Sequence, residues 1–288
     1  MSDFAGLRVL ALESRRPAEL AKLISNYGGE PVIAPAMREV PLDSNREALS
    51  FAEALLAGEF DIVILLTGVG TRAVFDVAET KYRREDLVSA LKRTKVVPRG
   101  PKPIAVLREL GVAPALIVPE PNTWRELLHS LDEAEKSSLE FRVGGARIAL
   151  QEYGIPNPEL IAGLTQRGAI VTRVPVYRWA LPEDVARLQS AIEELAAGKF
   201  HAVLFTTGIQ AAHLFQVAVE MKMEEAMRRE LARTVVCSIG PSTSEELERQ
   251  GVRPDLEPSH PKMGFLVKEA AEQAATLLRK KRQGTTSA

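Results

Sequence analysis

One cysteine, Cys237, is all the chain carries, so no internal disulfide and no cysteine-based metal cluster can form. It lies in the apolar run Val235-Val236-Cys237-Ser238-Ile239 and reads as a small buried hydrophobe. No apolar run approaches the roughly 18 residues needed to cross a bilayer, and no charged-then-apolar leader precedes the first strand pattern. A soluble cytoplasmic protein with no membrane partner is therefore expected. The net charge of −1 excludes a global field that would recruit nucleic acid. An anionic ligand would have to be held by local charge and backbone N–H groups. Also missing are a Walker loop, a Gly-x-Ser-x-Gly elbow, an HExxH helix and any clustered metal-ligand spacing. His129, His201, His213 and His260 are scattered, and nothing argues for a metal. His201 and His213, near Thr206-Thr207, could donate protons or could be ordinary strand and helix histidines. The closing stretch 280–288 reads as a frayed tail with no nucleic-acid role.

What the chain does contain is itself twice. The segment Gly58-Glu59-Phe60-Asp61-Ile62-Val63-Ile64-Leu65-Leu66-Thr67-Gly68 returns as Gly198-Lys199-Phe200-His201-Ala202-Val203-Leu204-Phe205-Thr206-Thr207-Gly208. The shift is 140 (208 minus 68), and it also carries Pro35 onto Pro175, Arg38 onto Arg178, Gly100-Pro101 onto Gly240-Pro241 and Pro121 onto Pro261. The 288 residues fit two domains of about 140, each long enough for its own core. Two copies of one α/β unit are expected, with a small-molecule site between the lobes.

Short apolar runs alternate with stretches of helical period, the pattern of a parallel sheet with crossover helices. Strands are predicted over 7–12, 31–34, 61–66, 95–97, 115–118, 147–150, 169–174, 202–206 and 234–239. Helices are predicted from Pro17 to the stop at Gly28-Gly29 and over 47–57, 71–78, 158–166, 182–197 and 264–278. Two proline-bearing segments at equivalent places, near 35–41 and 174–181, suit extended linkers rather than sheet interior. Either the chain leaves the first lobe near residue 36 and returns near 176, or the copies form a simple tandem cut near 143.

Candidate chemistry collects at strand ends. Thr67-Gly68, Thr206-Thr207-Gly208, Gly100-Pro101-Lys102 and Gly240-Pro241-Ser242-Thr243 each pass from a strand into a helix. A helix N-terminus offers unpaired N–H groups and partial positive charge, and nearby hydroxyls add donors, so each end suits a carboxylate or phosphate. Any one threonine or serine could equally be a plain N-cap. Four such ends on one cleft favour a polyanionic ligand. Gly68-Val69-Gly70-Thr71-Arg72-Ala73 matches the dinucleotide fingerprint, but its counterpart has Gln210 in place of the second glycine. The strand after it ends in Pro98-Arg99 with no acidic residue, which counts against nicotinamide binding.

These residues resemble the uroporphyrinogen-III synthase family. The pieces that carry the resemblance are Val176-Tyr177-Arg178, Phe205-Thr206-Thr207, Ile239-Gly240-Pro241-Ser242-Thr243 and, as a variant of a strand ending in Thr-Arg-Pro, Leu10-Ala11-Leu12-Glu13-Ser14-Arg15-Arg16-Pro17. It covers nearly the whole chain, in pattern more than in identity. It implies two flavodoxin-like lobes joined by a two-segment linker, residues 1–36 with 176–288 in one and 39–173 inserted as the other. It also implies cyclisation of hydroxymethylbilane, a linear tetrapyrrole with eight carboxylates, to uroporphyrinogen III. The last ring inverts, water is lost, and no cofactor or metal takes part.

By that resemblance Tyr177 assists loss of the substrate hydroxyl as a general acid or stabilises the cationic azafulvene that follows; otherwise it is a linker aromatic packed between lobes. Thr206, Thr207, Gly208, Gly240, Ser242 and Thr243 would hold propionate or acetate groups from one lobe, and Thr67, Gly68, Gly100 and Lys102 from the other. Arg15 and Arg16 would pair with carboxylates or stand as surface charge. The chain departs from the family at Pro103, where threonine is common, and at Thr207, where serine is usual. A monomer is expected. The other reading kept open is a cytoplasmic two-lobed ligand-binding or regulatory protein on the same scaffold.

Overall fold

The computed structural model describes residues 3–42, 45–138, 141–152, 154 and 156–284. In chain order, β1 (Arg8–Ala11), α1 (Pro17–Asn26), β2 (Glu30–Ile33) and β3 (Arg38–Pro41) come first. They are followed by α2 (Arg46–Leu56), β4 (Ile62–Leu65), α3 (Gly68–Ala78), α4 (Arg84–Arg93), β5 (Lys95–Pro98), α5 (Pro101–Glu109) and α6 (Trp124–Ser137). Next are β6 (Arg147–Gln151), α7 (Pro158–Gln166), β7 (Ile170–Val174) and β8 (Tyr177–Ala180). The last are α8 (Ala186–Ala196), β9 (Ala202–Phe205), α9 (Gly208–Glu220), α10 (Glu224–Leu231), β10 (Val235–Ser238), α11 (Pro241–Arg249) and α12 (Met263–Gly284).

The chain divides into two compact units, Met1–Arg38 with Ala180–Ala288, and Glu39–Trp179. In the first, the parallel order is β10-β9-β1-β2, with Val9 opposite Ala202 and Leu10 opposite Val203. Successive residues of these strands enter different cores, as a period of two requires. Leu10, Val203 and Val236 pack with Leu188, Ile192 and Leu195 of α8, whereas Val9, Ala11, Leu204 and Cys237 meet Leu20 and Ile24 of α1 and Leu266 and Ala270 of α12. Cys237 is fully buried, and its thiol is pushed far up by that burial.

The second unit holds β5-β4-β6-β7, also all parallel. Val63, Leu65 and Ala149 pack on Phe51 and Leu55 of α2, while Ile62, Ile64 and Ile148 pack on Leu127 and Leu131 of α6 and Leu160 and Leu164 of α7. Aliphatic strands buried on both faces are what an all-parallel sheet between helix layers demands.

Several expectations need correction. Residues 115–118 form no strand: Ala115 N–H donates to Val96 at 2.8 Å, but Pro114, Pro119 and Pro121 deny the segment a ladder, and Ile117 is exposed. The two proline-bearing segments, expected as extended linkers outside the sheet interior, are paired with each other: β3 and β8 form a two-stranded sheet of their own. Residues 176–179, expected where the linker near 174–181 meets the first lobe, group with the second unit, where Val176 and Tyr177 are core. Helix α8 begins at Ala186 rather than 182.

Helix α12 continues through Lys280 to Gly284, so most of the expected frayed tail is ordered; residues 285–288 lie outside the described residues. What holds it is Lys281, whose Nζ donates to the carbonyls of Leu231 (3.1 Å) and Thr234 (2.8 Å) and pairs with Asp255 at 2.7 Å. Among the described residues no helix is long and apolar enough to cross a membrane. Replacing Lys281 by Met should lower unfolding free energy in urea by about 1–3 kcal/mol, because Asp255 and two carbonyls lose a charged partner.

Candidate functional site

Each unit brings polar groups to the carboxyl ends of its strands, and the two sets differ. In the second unit β4 runs out at Thr67, the N-cap of α3. Its Oγ1 accepts from Gly70 N–H at 3.0 Å, and its own N–H donates to Gln151 Oε1 at 3.2 Å. Gln151, at the end of β6, is 2% exposed. The second glycine of the dinucleotide-like motif has its reason here: a Cβ on Gly70 would stand 2.0 Å from Gln151 Nε2. Gly68 backs onto the neighbouring helix, its would-be Cβ 2.8 Å from the Lys102 carbonyl. The Tyr177 hydroxyl lies 3.3 Å from Thr67 Oγ1, so structure brings together two residues predicted from separate motifs.

Around that pair, Trp179 meets Tyr177 edge-on with centroids 5.2 Å apart. Glu152, buried beside Gln151, takes Arg173 bidentately at 2.6 and 3.1 Å. Gly100 caps α5 next to Asn122, whose amide is tied to the carbonyls of Val118 and Pro119 at 2.9 and 2.8 Å. Lys102 is exposed on the first turn of α5, and Pro103 is buried.

In the first unit β9 leads directly into Thr206. Its N–H donates to Gln210 Oε1 at 2.8 Å, and Gln210 Nε2 donates back to Thr206 Oγ1 at 2.9 Å. The Thr206 hydroxyl donates in turn to Glu13. Glu13, 7% exposed at the end of β1, also accepts the N–H groups of Arg15 (2.8 Å) and Arg16 (3.1 Å). The expected substrate donor Thr206 thus spends its one proton on an internal carboxylate. Arg16 pairs with Glu19 at 3.0 Å, and both arginines are exposed. Thr207 caps α9 at Gly208 without a side-chain hydrogen bond. At β10, Gly240 N–H donates to Ser238 Oγ at 3.2 Å, Ser242 is exposed, and Thr243 is buried at 4%.

Two histidines, His201 and His213, have internal partners. His201 lies at the other end of β9, where its Nδ1 accepts Arg8 N–H at 3.0 Å. His213 of α9 is buried, and its Nδ1 lies 2.7 Å from the Ala36 carbonyl, so Nδ1 carries the proton. Burial lowers the pKa of both rings. Among the described residues no group of three or more His, Cys, Asp or Glu could hold a metal ion. Sequence reasoning missed Glu13, Gln151, Gln210, Glu152 and Trp179. Gln210 had one available signal, as it replaces the second glycine of the motif in the other copy.

A family model described as uroporphyrinogen-III synthase HemD matches residues 18–268. The chain is 30% identical to an uncharacterized Bacillus subtilis protein, YjjA, over 93% of this chain and 96% of that protein. It is 30% identical to a putative uroporphyrinogen-III synthase of Methanothermobacter thermautotrophicus over 82% and 87% of the two chains. The crystal structure of a mutant uroporphyrinogen III synthase from the extremely thermophilic bacterium Thermus thermophilus superposes with a TM-score of 0.73 at 26% identity, covering 96% of this chain and all (100%) of that one.

Neutral His213 predicts a direction for acid stability. Its folded pKa is depressed, so the unfolded chain takes the proton first as pH falls through about 6.5, and the stability present above that value is lost below it. Urea unfolding between pH 7 and 5 should show this decline, and His213→Gln should make the slope shallower.

Proposed function

The chain belongs to the uroporphyrinogen-III synthase family, and on that premise we propose that it closes hydroxymethylbilane to uroporphyrinogen III with inversion of the last ring and release of water. The observation that carries this reading is the Tyr177–Thr67 pair: the tyrosine of the family-like Val-Tyr-Arg segment has its hydroxyl 3.3 Å from a hydroxyl that caps a helix at a strand end. Loss of the substrate hydroxyl needs a proton, and a phenol at such a place can give it or can steady the cation left behind. Thr207, Gly208, Gly240, Ser242 and Thr243 in one unit, and Gly68, Gly100 and Lys102 in the other, are proposed holders of the substrate carboxylates, with Arg15 and Arg16 as exposed cations. Much of the rate would come from holding the chain ends in the ring-inverted arrangement, with little covalent work by side chains.

In this reading the protein works as a cytoplasmic monomer without a cofactor. It is built from an internal repeat, with the N- and C-terminal segments in one lobe and the central segment inserted. Support for the repeat comes from the constant shift of 140 between motifs and from the strand orders β10-β9-β1-β2 and β5-β4-β6-β7. Support for the insertion comes from the division of contacts after Arg38 and Trp179.

One observation favours the second reading, a ligand-binding or regulatory protein on the same scaffold. Glu13 places the chain's own carboxylate among donors expected to receive a substrate carboxylate.

A coupled assay separates the two, with hydroxymethylbilane generated in situ and the uroporphyrin isomers resolved after oxidation. Mostly isomer III establishes the synthase; only isomer I, the product of unassisted closure, from folded protein overturns it. Tyr177→Phe should then cut kcat by about 100-fold or more with little change in stability, and unchanged turnover would remove Tyr177 from the chemistry.

A further inference from the structure

The hydroxyl of Thr67 is held from several sides before any ligand arrives. Its oxygen receives Gly70 N–H at 3.0 Å, its backbone N–H is fixed by Gln151 at 3.2 Å, and its carbonyl receives the Thr71 hydroxyl at 2.8 Å. An oxygen that accepts a hydrogen bond at the positive end of a helix has its own O–H polarised and becomes the better donor. The group within its reach is the Tyr177 phenolic oxygen, at 3.3 Å.

Tyr177 is likewise fixed. It is 5% exposed, Trp179 packs against it edge-on, and Gly154 abuts both rings. A Cβ on Gly154 would stand 2.8 Å from Tyr177 Cε2 and 2.4 Å from Trp179 Nε1, and the residue's φ of +97° suits glycine alone. Neither the ring nor the threonine can adjust much, so the direction of their hydrogen bond bears on where the phenolic proton points.

We propose that Thr67 is a positioning residue for Tyr177: its hydroxyl, polarised by Gly70 N–H, donates to the phenolic oxygen and turns the phenol's own proton away from Thr67. The inference rests on the reading of Tyr177 as the proton donor, and it gives Thr67 a different task from the carboxylate ligand expected from sequence. Before transfer the Thr67 O–H⋯O bond orients the phenol. When the phenolic proton moves to the leaving hydroxyl, which departs as water, the same O–H meets a phenolate and becomes a charge-assisted bond at a helix N-terminus. That bond is stronger in the transition state than in the ground state, which is the condition for raising kcat. The charged groups on neighbouring elements are Glu152 on the β6 side, paired with Arg173 of β7, together with Arg178 of β8, Arg72 of α3, paired with Glu109, and Lys102 of α5.

The experiment has an arm with substrate and an arm without. In the coupled assay Thr67→Val should lower kcat about tenfold, the kinetic equivalent of one hydrogen bond, with KM within about twofold. Thr67→Ser should restore it, and adding Thr67→Val to Tyr177→Phe should cost nothing more. A raised KM at unchanged kcat, or full additivity with Tyr177→Phe, would make Thr67 a substrate ligand and overturn the proposal. Without substrate, the ionisation of Tyr177 is read in the near ultraviolet as the difference between each protein and its Tyr177→Phe counterpart. It should move to higher pH in Thr67→Val and in Thr67→Ala, a smaller change that keeps the test open if the valine variant misfolds, and stay in place in Thr67→Ser, which keeps both the N-cap acceptor for Gly70 N–H and the donated O–H. No shift would sink the pairing. Because the titration needs no substrate, loss of the synthase reading (only isomer I from the unaltered protein) and loss of this inference (no titration shift) are separate results.

Discussion

A backbone N–H at the end of a buried strand has no ladder partner and must be given one, and both strand-end sites are arranged around that need. In each unit a buried glutamine amide accepts the threonine N–H, but the amide comes from different elements. Gln151 reaches Thr67 from the adjacent strand, whereas Gln210 reaches Thr206 from within the helix that follows. Once the amide oxygen is committed, its nitrogen must also be satisfied, and it donates to Glu152 in one unit and to the Thr206 hydroxyl in the other. The hydroxyls then diverge. Thr206 is consumed between Gln210 and Glu13, while Thr67 keeps its oxygen beside a tyrosine.

This divergence gives the two ends different chemical characters although their sequences correspond. The first-unit end is neutralised internally, since a buried carboxylate with three donors is content without a ligand. The second-unit end pairs two hydroxyls, groups that can each donate or accept. Chemistry that moves a proton fits the second kind better than the first.

The strands around Ile62–Leu65 and Ala202–Phe205 were legible because burial on both faces leaves unbroken aliphatic runs, and the glycines and threonines after them marked the sheet ends. The constant spacing of those marks is what suggested a repeat. Residues 115–118 misled for the same reason, being apolar and ending in the β-branched pair Ile117-Val118, with flanking prolines that outweighed composition. The β3–β8 pairing was illegible because prolines argue against sheet without excluding a ladder between them. Glu13, Gln151 and Gln210 were missed on other grounds. A single polar residue in an apolar setting acquires meaning from its partner, and Glu13 and Thr206 are 193 residues apart in sequence. Sequence spacing could suggest Thr67 and Tyr177 singly, but only folding shows that they meet.

The position of β1 between β2 and β9 bears on how the protein is made. Residues 39–179 are contiguous and contain every strand of their own sheet, so this unit can close as soon as it has left the ribosome. β1 can pair with β2 at once but must wait for β9, about 190 residues later, which at ordinary elongation rates is roughly 10–40 s. Throughout that interval an apolar strand with one open edge hangs ahead of a finished unit, the kind of surface that chaperones recognise and that misassembles when they are scarce.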